Sequence, residues 1–232
     1  MLAQVCGRPV GVLLGLTLTM NPFSAHPVYQ SIADKPLEER LTHLRDPAFR
    51  EQLLNDQPDP GNVFAKAVLK RFDRMFLLGD PPNYEPDEDR MLANMARMKG
   101  VSPEALALDL MLENDGKAML YFPFLNYAQN SLDPSHAMLS SPATIPGLSD
   151  GGAHVGMICD GSFPTSMLTH WTRDRTRGDK LPLEFIIKRQ TQDTARAVGL
   201  MDRGILAPGY RADVNVIDYE NLTLHAPEVI YD

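Results

Sequence analysis

The sequence predicts an α/β fold, and three observations carry that prediction. Residues 10–19 form a continuous apolar run without alternation, which is typical of a parallel strand buried on both faces. Residues 182–198 have the clearest helical pattern in the chain, and Gly199 follows them as a helix C-terminal cap. Between these two segments, strand-like and helix-like stretches alternate in the order that α/β domains use.

The amino-terminal half predicts mostly helices and loops. Residues 35–55 predict two consecutive short helices, with a restart at Asp46-Pro47, and residues 88–99 predict a Met-rich amphipathic helix. Ser102 and Pro103 predict the start of another helix, with Ser102 as N-cap and Pro103 in the first turn. Residues 55–62 and 79–89 are rich in proline and acidic residues, and they predict surface loops.

The carboxyl-terminal half predicts a strand at 118–124, a short helix at 134–139, a short strand at 143–148 and a helix at 164–172. Residues 212–218 alternate between apolar and polar side chains, and they predict a half-buried strand. This last segment follows turn-forming residues at 204–209 and therefore indicates a small β appendage.

Composition limits the function classes. The chain has 232 residues, 44% of them hydrophobic and 22% charged, with a formal net charge of −8, so nothing in its charge favours nucleic acid as a partner. Its two cysteines cannot build a disulfide framework, and a cytoplasmic location is the simplest expectation. Arg8 and the apolar run after it also fit a signal peptide, although no clean cleavage site follows. That run is too short to span a bilayer, so no membrane association is expected.

The segment IPGLSDGGAHV, residues 145–155, allows two enzymatic interpretations. Gly147-Leu148-Ser149-Asp150-Gly151 matches the G-x-S-x-G nucleophile elbow, which predicts a serine esterase that uses Ser149. A nucleophile elbow continues into a helix, but Gly151 and Gly152, which follow Asp150, are poor helix formers. This disfavours the elbow. Alternatively, Asp150 stands at the end of a short strand as a proton-transfer carboxylate. Spacing alone favours a third role for Asp150, capping a turn.

Five motifs in the carboxyl-terminal half resemble the amidohydrolase superfamily. They are residues 147–155, 162–165, 183–199, 202–209 and 212–218, in that order. More narrowly, they resemble the branch that contains the D-aminoacylases, which are N-acyl-D-amino-acid deacylases. The resemblance is strong from residue 139 to 218 and weaker upstream, where residues 7–11 would correspond to the strand-seven region.

The resemblance implies the carboxyl-terminal part of a metal-dependent (β/α)₈ barrel plus part of a small β-sandwich. Residues 1–203 would form the partial barrel, about strands seven and eight with a helical insertion, and residues 204–232 the partial β-sandwich. The implied activity is hydrolysis of a non-peptide C–N bond in a small-molecule amide. N-acyl-D-amino acids are the nearest substrate class, and cyclic amides are a close alternative. Asp150 would act as the catalytic proton shuttle and as a possible metal ligand.

The metal ligands of that family do not map onto this chain. Zinc, as one or two divalent ions, would be held by histidines and a bridging side chain, but the chain has no H-x-H and its six histidines are isolated. We therefore expect a carboxyl-terminal fragment that alone neither retains zinc nor hydrolyses amides. A complementing amino-terminal chain or a homo-oligomer is the expected partner. The alternative is a complete but degenerate member that acts as a non-catalytic interaction subunit.

Other polar residues near this segment each have two interpretations. His154 is a candidate substrate-binding residue, although an ordinary loop histidine explains it as well. Arg173, Arg175 and Arg177 could supply a positive charge to the site or form a solvated helix end. Cys159 has no histidine at a useful spacing, so it is not expected to be a nucleophile.

Overall fold

The computed structural model describes residues 1–59, 61, 65–149, 151 and 154–230. Its strands are β1 (Ala3–Cys6), β2 (Val10–Leu14), β3 (Phe76–Leu77), β4 (Leu120–Leu125) and β5 (Thr144–Gly147). Its α-helices are α1 (Pro27–Gln30), α2 (Leu37–Arg45), α3 (Pro47–Asn55), α4 (Leu92–Lys99), α5 (Pro103–Met111), α6 (Glu113–Gly116), α7 (Asp133–Ser140), α8 (Phe163–Thr169), α9 (Leu183–Lys188) and α10 (Thr194–Ala197). Wider π-helical turns span Ala65–Leu69, His170–Asp174 and Arg189–Asp193, and 3-10 turns span Glu88–Arg90 and Ala128–Asn130.

The chain divides into two compact units. The first comprises Met1–Val10, Phe124–Ala153 and Cys159–His225, and the second comprises Gly11–Pro123, His154–Ile158 and Ala226–Asp232. The strands form a β1–β5 sheet and a second sheet in the order β2–β4–β3. The α/β class predicted from the sequence is confirmed, whereas these five strands do not form a closed barrel.

The first unit is built on a parallel pair of strands. β1 pairs with β5 in the register Ala3 to Thr144 and Cys6 to Gly147. Helices α7 and α8 and the continuous helical run from α9 to α10 supply the apolar side chains of this unit, with Trp171 and Ile186 fully buried. The carboxyl ends of β1 and β5 therefore lie side by side.

The second unit contains most of the helices and the β2–β4–β3 sheet, in which β3 runs antiparallel to β4. The predicted Ser102 cap is confirmed, because its hydroxyl accepts from the Ala105 amide at 3.1 Å. At the predicted helix restart, the Asp46 side chain accepts from the Phe49 amide at 2.8 Å. Gly11 is required by close packing, because a Cβ there would lie 2.4 Å from the Phe122 carbonyl oxygen.

Two predicted segments differ from the structure. The strand expected at 10–19 ends at Leu14, where Gly15 begins a turn. The strand expected at 212–218 is absent, and the described residues 204–230 contain no strand, so the predicted β-sandwich segment is not shown. Val214 and Val216 are 57% and 97% exposed there, and alternation forms a strand only where a neighbouring strand supplies the hydrogen bonds.

No helix among the described residues is both long enough and apolar enough to cross a membrane.

Candidate active site

A cavity of about 240 Å³ opens at the carboxyl ends of β1 and β5. Gly7 comes directly after β1, and Leu148 and Ser149 come directly after β5. In parallel α/β structures, ligands bind at this edge, because the loops that carry functional side chains leave the sheet there. The cavity is lined by Gly7, Pro146, Gly147, Leu148, Ser149, Phe163, Pro164, Met167, Gln190 and Thr194.

The described lining of the cavity is mostly apolar. None of the lining residues that the structure describes carries a formal charge, and Phe163 and Met167 form its α8 wall. The Gln190 side-chain amide donates to the Pro164 carbonyl at 3.1 Å, and the Thr194 hydroxyl donates to the Gln190 carbonyl at 3.0 Å. The surroundings thus suit a neutral or apolar part of a small molecule, with the Gln190 side-chain oxygen as an acceptor.

Arg8 lies buried behind this cavity and holds the segment after Cys159. Its guanidinium donates to the hydroxyls of Ser162 at 2.8 Å and Ser166 at 3.2 Å and to the Cys159 carbonyl. It also pairs with Asp160 at 3.5 Å, and it stacks on the Phe163 ring at 4.5 Å. Arg8 is only 2% exposed, so its positive charge serves to hold residues 159–166 in position.

Two further side chains fix the carboxyl end of β1. The Asn126 side-chain amide donates to the Cys6 carbonyl at 2.9 Å and to the Arg8 carbonyl at 3.0 Å. The Trp171 indole donates to the Gly7 carbonyl at 2.5 Å, and the ring is fully buried. The sequence did not identify Arg8 and Asn126 as positioning residues. The one available signal was the charge of Arg8 just before the apolar run of residues 10–19.

Gly7 is needed because Met167 occupies the space beside it. A Cβ at Gly7 would lie 2.6 Å from the Met167 sulfur and 2.9 Å from its Cγ. Gly147, at the end of β5, is packed in the same way, since a Cβ there would lie 3.0 Å from the Gln4 side chain. A residue without a side chain therefore stands directly after β1 and at the end of β5, where the cavity begins.

Burial changes the acidity of Cys6, the last residue of β1. Its thiol pKa is raised above the ordinary value, first by loss of solvent and second by the negative charge of Asp160. The thiol therefore stays protonated over a wider pH range, which argues against a thiolate nucleophile at this end of the sheet.

Ser149 does not have the partners of an activated nucleophile. It is exposed, and its hydroxyl donates to the Gly161 carbonyl at 3.3 Å. A nucleophilic serine needs its proton directed at a base such as histidine. The hydrogen bond to a carbonyl is therefore a structural contact, and it disfavours the esterase interpretation.

The structure does not test the predicted roles of Asp150 and His154. Asp150 lies outside the described residues, so its roles as proton shuttle and metal ligand stay predictions. His154 belongs to the second unit, where it has a φ of 52° and its carbonyl accepts from the amides of Met157 and Ile158. Its predicted substrate contact is untested.

Arg175 is not part of a solvated helix end, as one interpretation had it. It is 2% exposed, lies 5.0 Å from the centre of the Trp171 ring and donates to Asp133 at 2.6 Å and to the Asp179 carbonyl at 2.8 Å. Arg173 is bound to Asp174 and to carbonyls of residues 219–222. Both side chains therefore stabilise the structure.

The donor set for a metal is incomplete in the part of the chain that the structure describes. No group of three or more His, Cys, Asp or Glu side chains comes together there. A catalytic zinc is usually held by three protein ligands. The described residues therefore do not fit the zinc site that the sequence resemblance implied.

Comparison with known proteins identifies the family. The family model described as "Amidohydrolase family" matches residues 1–232. The chain belongs to the amidohydrolase family. Members are generally metal-dependent, and the family is the one that the sequence motifs resemble.

Two curated relatives come from Desulfitobacterium hafniense, strains DSM 10664 / DCB-2 and Y51, and both are named 5-methylthioadenosine/S-adenosylhomocysteine deaminase. Each is 33% identical to this chain over 90 residues, which cover 35% of the chain and 21% of the relative. The chain thus spans about a fifth of the length of these relatives. No solved structure matches it.

Proposed function

We propose that the whole protein hydrolyses a C–N bond in a small-molecule amide, with N-acyl-D-amino acids as the first substrate class. The observation that carries this proposal is the cavity at the carboxyl ends of β1 and β5, whose described lining is mostly apolar. Asp150 is the next residue along the chain after the cavity-lining Ser149, and family membership supplies the reaction class.

Asp150 is the residue that we assign to proton transfer. An amide bond breaks only if the leaving nitrogen receives a proton while water attacks the carbonyl carbon. A carboxylate beside the reacting atoms can take the proton from that water and then deliver it to the nitrogen. The cavity walls made by Phe163 and Met167 would hold an apolar acyl or side-chain group of the substrate by excluding water.

A metal ion in this family would polarise the carbonyl, but its ligands are not supplied by the described residues of this chain. We therefore propose that residues 1–232 alone do not turn over substrate, and that a complementing chain or further residues of the whole protein complete the site. Hydrolytic deamination is a second candidate, and the match to the two deaminases favours it.

The test compares the native gene product with residues 1–232 expressed alone. Each is given added zinc and a panel of substrates: an N-acetyl-D-amino acid, its L-enantiomer, a cyclic amide and an aminopurine nucleoside. We expect the native product to release the D-amino acid and the isolated chain to release nothing. Ammonia release from the nucleoside alone would transfer the proposal to deamination. Turnover by residues 1–232 alone would contradict the need for a complementing part.

A further inference from the structure

A second cavity, of about 450 Å³, lies at the opposite ends of the same two strands. It is lined by Leu2 before β1, by Thr144 and Ile145 of β5, and by residues of the helical run from α9 to α10. Since the candidate active site lies at the carboxyl ends, this cavity is separate from it.

The amino-end cavity is basic, unlike the chain as a whole. Lys188, Arg189 and Arg196 line it with Asp193 as the carboxylate among its lining residues, which leaves an excess of two positive charges. The chain has a formal net charge of −8. A local positive excess in an acidic protein attracts small anions to one place.

Arg189 forms the rigid wall of this cavity. It is 6% exposed, and its guanidinium donates to the Thr144 hydroxyl oxygen at 2.9 Å, to the Ser141 carbonyl at 3.2 Å and to the Thr144 carbonyl. Its Nε is buried without a hydrogen-bond partner among the described residues. A cation already fixed by packing loses little side-chain entropy when an anion binds near it.

Arg196 is the cation available for a ligand. It is exposed and lines the cavity, and its guanidinium has no hydrogen bond or ion pair with the residues that the structure describes. Lys188 is half exposed, and its ammonium pairs with Asp193. The Ser141 hydroxyl accepts from the Ala143 amide at 3.2 Å and so keeps its own proton for donation. A planar guanidinium, an ammonium and a hydroxyl together form a donor set for an oxyanion.

We propose that the amino-end cavity binds the phosphate group of a small molecule. The excess of two positive charges matches a phosphate dianion better than a monocarboxylate. The cavity volume exceeds that of a bare phosphate, so there is room for the rest of a phosphorylated metabolite. Arg196 and Lys188 would bind the phosphate, while Arg189 would keep the Ser141 and Thr144 side of the cavity in position.

Inorganic phosphate is the probe, measured by calorimetric titration into the full native protein at low ionic strength. We expect Arg196→Gln to weaken binding about tenfold, the scale of one charge-assisted hydrogen bond. Asp193→Asn should tighten binding severalfold, because it removes the opposing carboxylate and releases Lys188. Arg97→Gln, an equal change of charge on exposed α4, should leave phosphate affinity as it is.

Acetate at the same concentration separates phosphate recognition from general attraction of anions. The proposal predicts that acetate binds at least tenfold more weakly than phosphate. Equal binding of phosphate and acetate, or an equal loss of affinity in Arg196→Gln and Arg97→Gln, would overturn it. So would unchanged or weaker phosphate binding in Asp193→Asn. Circular dichroism melts of each variant show whether any loss of binding reflects loss of folding.

Discussion

The two ends of the β1–β5 pair use arginine in opposite ways. At the carboxyl end, Arg8 is buried, and its guanidinium is bound to Ser162, Ser166 and Asp160 beside a cavity whose described lining is uncharged. At the amino end, Arg196 is exposed and unpaired among the described residues, beside a basic cavity. The same residue type therefore stabilises the backbone at one end and remains available to a ligand at the other. Burial and pairing, and not residue type, decide which role an arginine has.

The largest expected effect on stability comes from removing the buried contacts of Arg8 at the carboxyl end of β1. Arg8→Met should lower the free energy of unfolding by about 3–5 kcal/mol, because it leaves the Asp160 carboxylate buried without its cation. Denaturant unfolding of the full chain measures this loss. Arg196→Met is the matched control at the amino end and should change stability little.

The double variant Arg8→Met/Asp160→Asn sharpens that test. It removes both charges, so it should recover part of the stability that Arg8→Met loses. A loss for Arg8→Met no larger than that for Arg196→Met would contradict the contrast between the two arginines.

A smaller effect is expected from the packing of Gly7 against Met167. Gly7→Ala should cost about 1–3 kcal/mol, because the new methyl group would overlap the Met167 side chain. In a Met167→Ala background the same change should cost less, since the obstructing sulfur is gone. A double-mutant cycle by denaturant unfolding measures this coupling. Additive losses would show that Gly7 is not held by Met167.

The smallest expected effect is on cysteine reactivity at the carboxyl end. Cys6 is half-buried with a raised thiol pKa, and Cys159 is exposed, so iodoacetamide should label Cys159 first. Labelling of Cys6, followed in a Cys159→Ser variant by mass spectrometry, should accelerate as pH rises through its raised pKa. Faster labelling of Cys6 than of Cys159 at neutral pH would contradict its burial.

The same shift has a consequence for stability. Because the pKa of Cys6 is higher in the folded chain, the unfolded chain loses its proton first as pH rises. The contribution of Cys6 to the free energy of unfolding is therefore fully retained below the unfolded pKa. It falls between the unfolded and the folded pKa. Cys6→Ser should flatten this alkaline part of the stability curve.

Local signals in the sequence predicted the helices well. Ser102-Pro103 and Asp46-Pro47 mark real helix starts, and Gly199, with a φ of 83°, follows α10 as predicted. Each of these signals acts within a few residues, through a cap or a restricted dihedral angle, so the printed sequence contains the whole cause.

Long-range partners were not predictable in the same way. β1 has four residues, and its partner β5 lies about 140 positions later, so nothing near Ala3–Cys6 identifies it as a strand. The alternating segment 212–218 shows the converse, because it has the pattern of a strand without a neighbouring strand among the described residues. Burial of Arg8 and Arg175 was missed because cations are ordinarily exposed, and only the folded chain brings their acceptors together.

The most direct test of the account compares kcat of the native gene product in the Asp150→Asn and Ser149→Ala variants, with the best substrate of the panel. The account predicts that Asp150→Asn lowers kcat by about a hundredfold to ten thousandfold, the range of general acid–base catalysis. Ser149→Ala should lower kcat by less than about tenfold, because its hydroxyl makes only a structural contact with the Gly161 carbonyl. A large loss in Ser149→Ala together with a nearly unchanged kcat in Asp150→Asn would contradict the account and favour the serine esterase.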